Sequence, residues 1–171
     1  MLRQCFTGIL LALAIAAMSS AQPPHEYAEP TESELLSLFS NAGYEFETTA
    51  NGFRWMIHPN GTRVSFLPYG HSDQQGVSAI RLGAMFLVWE SSAAREAADY
   101  YESTNPLASV ATLETEEGIV LVLQRDIMYL RHRTPENILA NTSILFQLIP
   151  VFQSSIADSD PELAQRWGFE R

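Results

Sequence analysis

The spacing of apolar and polar positions divides the chain into helices and hairpins from residue 31 onward. Leu35, Leu36, Leu38 and Phe39 lie on one side of a short helix. Thr31 and Glu34 open that helix in capping-box spacing, and Gly43 closes it. Asn51-Gly52 and Asn60-Gly61 are two-residue hairpin turns, so they predict three strands over Tyr44–Thr49, Phe53–His58 and Thr62–Leu67. The polar loop His71–Gly76 separates these from a fourth strand, Val77–Trp89. Period-two alternation puts Ile80, Leu82, Ala84, Phe86 and Val88 on one face of that strand. It puts Arg81, Met85, Leu87 and Trp89 on the other.

The Ala- and Glu-rich stretch SSAAREAADYYEST predicts a second helix that stops before Asn105-Pro106. Leu107 to Leu130 reads as a hairpin turning at Glu116-Glu117-Gly118. Thr134 as N-cap and Pro135 at the first helical position start a third helix. Ile138, Leu145, Ile149, Phe152 and Ile156 form its apolar face, and Pro150 is expected to kink it. A small turn is expected in the tail 158–171, where Leu163 and Trp167 stand one helical turn apart.

The resulting order, α-β-β-β-β-α-β-β-α with hairpin connections, is an α+β fold with an antiparallel sheet and helices packed mainly on one face. Two features then bear on function. Ile119 to Leu123 is apolar at every position, which calls for cover on both sides. Three short helices can cover one face of a five- or six-stranded sheet, but hardly both. The face carrying Arg81, Met85, Leu87, Trp89, Val120 and Val122 is therefore the candidate binding surface, for a second copy or another protein. The competing expectation is that the leader and the Trp167/Phe169 tail fold across it.

The first 21 residues read as a cleaved export signal: Arg3, an apolar stretch from Gly8 to Met18, then Ser19 and Ala21 before the cut. That stretch is shorter than the ~18 residues of a membrane span, so no membrane anchor is expected after cleavage. A periplasmic or secreted location follows. Residues 22–30 form a Pro-rich leader, expected to be extended or disordered, and 31–157 form one domain. Cys5, the one cysteine of the chain, leaves with the signal, so the domain must be held by its core rather than by disulfides. The formal net charge is −10 with no lysine, and losing Arg3 makes it one unit more negative. Such a surface repels nucleic acid and anionic membrane.

Candidate chemistry is sparse. His25, His58, His71 and His132 have no zinc-type spacing. Adjacent His71, Ser72 and Asp73 cannot form a catalytic triad, and no Gly-x-Ser-x-Gly elbow occurs. Glu114, Glu116 and Glu117 at a hairpin tip lack a calcium-loop pattern. Asn60-Gly61-Thr62 and Asn141-Thr142-Ser143 match the glycosylation triplet, but fall on a turn and within a helix. No cofactor and no catalytic residues are expected. A small-ligand or enzyme site near His58, His71 and Asp73 is the alternative. Arg131 and Arg133 flank the start of the third helix, where they could hold an acidic group or simply pair with Asp126 or Glu136.

Several segments together resemble the YbjN-domain family: the L..AGYEFE start (Leu38 to Glu47), the strand ending in Trp89, ATLETEEGIVLVLQRDI (Ala111 to Ile127), and TPENILANTSILFQLIPVFQ (Thr134 to Gln153). The resemblance covers about residues 32 to 156 and rests on hydrophobic and turn patterns. It departs at YYESTNPLAS, where only Asn105 answers the family's Asn-x-Trp-Asn-like segment. It implies a fold similar to type III secretion chaperones, a bacterial origin, and a non-enzymatic role. The family is catalogued as proposed regulators of sensory transduction.

Overall fold

The computed structural model describes residues 28–71, 76–89, 91–128 and 130–167. The expected signal segment 1–21, leader residues 22–27, Ser72, Asp73 and Phe169 lie outside the described residues.

Among the described residues, six strands and three helices follow in the expected order, and a fourth, short helix lies in the tail where a small turn is expected. Helix α1 (Glu32–Asn41) opens with the capping box: the Glu34 amide donates to Thr31 Oγ1, and the Thr31 amide donates to Glu34 Oε2 at 2.7 Å. Strands β1 (Glu45–Thr48), β2 (Arg54–Ile57) and β3 (Arg63–His71) form a meander, and β4 (Val77–Trp89) continues it. Helix α2 (Ser92–Thr104) crosses to β5 (Ser109–Thr115), which hairpins into β6 (Gly118–Met128). A 3-10 turn (Leu130–His132) leads to α3 (Pro135–Ser159), and α4 (Pro161–Arg166) ends the described chain. The sheet is antiparallel throughout, in the order β1-β2-β3-β4-β6-β5.

Three boundaries correct or sharpen the sequence reading. β3 runs to His71, past the expected stop at Leu67, because Pro68 lies where β3 has β4 as its one neighbour; β2 pairs only as far as Ser65. A proline is tolerated on such an open edge. The β5–β6 loop is Glu116-Glu117, and Gly118 follows at φ 128, a conformation that favours glycine. Pro150 lies within α3, whose helical span continues to Ser159.

One core lies between the sheet and the helices. Met56, Phe66, Leu82, Phe86, Leu121 and Leu123 meet Phe39 of α1, Tyr101 of α2, and Leu145 and Phe152 of α3. The Phe86 and Phe152 rings are 5.2 Å apart, and Phe39 stands edge-on to Phe66 at 5.8 Å. Arg125 is the one charged side chain of β6 on this inner side. Its Nε and Nη2 donate to the Asn141 carbonyl and Oδ1 at 3.1 and 2.9 Å, and its Nη1 donates to the Leu107 carbonyl. That fork ties β6 to α3 and to the start of β5, and burial pushes the guanidinium pKa down.

The two faces differ in what a leucine side chain contributes. Leu145 of α3 is fully buried, whereas Leu67 on the other side of the sheet is 54 % exposed. Leu145→Ala is expected to cost about 2–5 kcal/mol of unfolding free energy. Leu67→Ala in dilute protein should change it by less than about 0.5 kcal/mol. Urea unfolding of both variants measures the contrast, and equal losses would contradict this assignment of faces.

Candidate functional site: the open face of the sheet

None of the four helices packs on the second face of the sheet. The outward positions of β4 from 79 to 87, and of β6 from 120 to 128, all stand outside the core cluster. Strand register arranges them in rows. Tyr69, Ala79 and Met128 form one row; Leu67, Arg81 and Asp126 form the next. Beyond Gly83, Val122 sits between Met85 and Ala111 in register, and Leu87 is followed by Val120 and Leu113. Met85 is 39 % and Leu113 47 % exposed, while Val122 is buried by its neighbours in the sheet. A Cβ on Gly83 would come within 2.8 Å of Ser65 Oγ and 3.0 Å of Val122 Cγ1, so these two side chains close over the glycine and leave no room for a larger residue.

Charge on this face is paired internally. Arg81 Nε and Nη2 donate to the two carboxylate oxygens of Asp126, each at 2.8 Å, in a two-pronged contact. Arg81 also lies over the Tyr69 ring, 5.6 Å from its centre. The hydrogen bonds with Asp126 raise the guanidinium pKa, and those from Arg81 hold the Asp126 carboxyl below its ordinary value. Toward β1, Arg63 pairs with Glu47. The face is thus apolar with matched charges on a chain that is strongly acidic as a whole.

Trp89 does not belong to this face. Leu87 pairs with Val120 and Trp89 with Ile119, so Val88 is an extra residue in a bulge. The bulge reverses the alternation: Trp89, at φ 50, turns toward the helix side, where the Arg166 guanidinium lies 4.9 Å from its ring centre. Gly118 permits this, since a Cβ there would lie 2.7 Å from Trp89 Cα. The tail also takes the helix side. Trp167 stands 5.9 Å from Phe86, and its Nε1 donates to the Leu87 carbonyl at 3.0 Å. The expectation that this tryptophan lies across the second face is corrected.

The arginines at the α3 start serve the joint. Arg133 donates to the Met128 carbonyl at 2.9 Å and to Asn137 Oδ1 at 2.8 Å, linking the end of β6 to the first turn of α3. Arg131 donates to His132 Nε2. Neither pairs with Asp126, which is taken by Arg81, nor with Glu136, whose carboxyl pKa is lowered by its own backbone amide and Thr134. His58 lies tilted against Phe146 at 4.7 Å and meets Tyr44 edge-on at 5.5 Å. It sits beside the start of β3, while His71 ends that strand, about 30 Å away at ~3.3 Å per residue. A joint His58/His71 site is therefore ruled out by the sheet. Among the described residues, no three metal-ligating side chains cluster.

Sequence reading missed Tyr69, Leu67 and Leu113 on this face. Leu67 and Leu113 are open to alternation within their expected strands; Tyr69 lies beyond the expected end of the third strand at Leu67. The Arg81–Asp126 pair depends on cross-strand register, which no local pattern displays.

The pair gives a pH signature. Because the folded-state pKa of Asp126 is depressed, its ionised form stabilises the fold. This contribution is complete above the unfolded value near ~3.9 and is lost as pH falls through the lower folded value. Asp126→Asn should therefore be less stable than the parent chain at neutral pH, with the gap closing in acid. Denaturant midpoints across that range measure it, and a pH-independent gap would contradict the pairing.

No family model and no curated protein matches this chain. Among solved structures, the chain is similar to YbjN from E. coli, a proposed transcription regulator, with a TM-score of 0.57 and 14 % identity. The match covers 80 % of this chain and 96 % of that one. It agrees with the architecture that the family resemblance implies, and the fold of this chain is YbjN-like.

Proposed function

We propose that this protein is a non-enzymatic binding module that acts through protein contacts on the open sheet face, with a second copy of the chain as the occupant. The observation that carries this reading is the set of rows with exposed Leu67, Met85 and Leu113 and half-buried Leu87, crossed by the Arg81–Asp126 pair. Four strands at ~4.8 Å spacing and eight residues of strand length give a patch of roughly 20 by 26 Å. That is of the order of the ~800 Å² each partner contributes to a standard interface. An arginine beside an aspartate is self-complementary under a two-fold axis, since each can face its opposite on the partner copy. The rest of an acidic surface would repel its own kind.

YbjN's description as a proposed transcription regulator supports a regulatory role here too, exerted through protein contacts. Direct DNA binding is disfavoured by the net charge of −10. The signal-like N-terminus supports work outside the cytoplasm, with the exported form beginning at Gln22.

Sedimentation velocity on the exported form tests the reading. The parent chain should dimerise, and Arg81→Asp or Asp126→Arg alone should shift it toward monomer. An equimolar mixture of the two variants should restore the dimer. A strict monomer with native circular dichroism would overturn the second-copy reading, whatever other protein the face then proved to hold.

A further inference from the structure

Beyond the expected export signal the chain carries three methionines, Met56, Met85 and Met128, and no cysteine. Thioether sulfur is therefore the most readily oxidised group of the exported form. Met56 is fully buried in the core, whereas Met85 and Met128 are 39 % and 38 % exposed, both on the open sheet face. Strand register sets them about 20 Å apart at ~3.3 Å per residue, with the Arg81–Asp126 pair between them.

Met128 is also linked to that pair. The Tyr69 hydroxyl donates to Met128 Sδ at 3.0 Å, and the Arg81 guanidinium lies 5.6 Å from the centre of the same ring. A thioether is a weak acceptor. A sulfoxide oxygen is a stronger one and stands beyond the sulfur, so oxidation displaces the Tyr69 hydroxyl from its seat beside Arg81. Met85 has no such donor, since Val122 and Ala111 share its row.

We propose that oxidation of Met85 and Met128 by a hydroperoxide dissociates the contact between copies, which makes the sheet face an oxidant-controlled switch; this rests on the second-copy reading above. The sulfur lone pair attacks one peroxide oxygen, and an S–O bond forms as the O–O bond breaks. With hydrogen peroxide, the proton of the transferred oxygen passes to the departing one, which leaves as water. Sulfur loses two electrons and the peroxide gains them. Each apolar thioether becomes a polar sulfoxide, and burying that oxygen against a second copy without a donor is unfavourable. Export, as proposed above, places both sulfurs outside the reducing cytosol.

Peroxide treatment of the exported form, followed by sedimentation velocity, tests the switch. The protein is oxidised when dilute, freed of peroxide and then concentrated. Mass spectrometry should find an added oxygen on Met85 and on Met128 and none on Met56, with circular dichroism unchanged. The dissociation constant of the dimer should rise about tenfold or more, and methionine sulfoxide reductases should restore it. The double variant Met85→Leu/Met128→Leu, which keeps volume and apolarity, should dimerise as the parent does and ignore peroxide. An oxidised, folded parent with an unchanged dissociation constant overturns the switch. So does a double variant that peroxide dissociates equally well, or a parent whose Met85 and Met128 resist peroxide as Met56 does. A parent that is monomeric before any peroxide overturns the interface and the switch together, which tells the two failures apart.

Discussion

The packing of α3 across β4 and β6 decides which side of every central strand meets water. Phe152 against Phe86, with Leu145 and Ile149 in the same core, commits the even-numbered positions of β4 to the interior. Side chains alternate along a strand, so the odd positions from 79 to 87 are then forced outward. Slipping the register by one residue would bury Arg81 and expose Leu82 and Phe86. The exposed apolar rows are thus a consequence of core packing, and their tolerance in a monomer is what makes them informative.

The bulge at Val88 is the point where this alternation is deliberately broken. Without it, Trp89 would extend the open face by one more large side chain. With it, Trp89 joins Arg166 and the α4 end, and the rim of the open face is set by Leu87, Val120 and Leu113. Trp167 seals the helix side of the same strand end through the Leu87 carbonyl. Gly118 is required on the neighbouring strand because no larger residue fits beside Trp89.

Much of the architecture was legible in the sequence because its signals are local. Thr31/Glu34, Asn51-Gly52, Asn60-Gly61 and Thr134-Pro135 each act within four residues, and each marks an element boundary in the structure. The face of β4 was legible as far as Leu87, since alternation needs only the strand itself. What failed to show was set at long range. The reversal at Trp89 depends on β6; the Arg81–Asp126 contact joins positions 45 residues apart; and the persistence of β3 through Pro68 depends on how far β2 extends. Arg131 and Arg133 stand at a helix start where an acidic group could be held, yet their contacts stay within the joint.

The central claim is that the outer face is open in the single chain and covered by a second copy. Methionine oxidation by dilute peroxide reads this directly, because Met85 lies on the outer face at 39 % exposure and Met56 is fully buried. The account predicts that Met85 oxidises readily in dilute protein and becomes progressively protected as protein concentration rises, while Met56 stays unreacted throughout. Oxidation of Met85 at one rate across all concentrations would contradict the covered face, and parallel oxidation of Met56 in folded protein would contradict the assignment of faces itself.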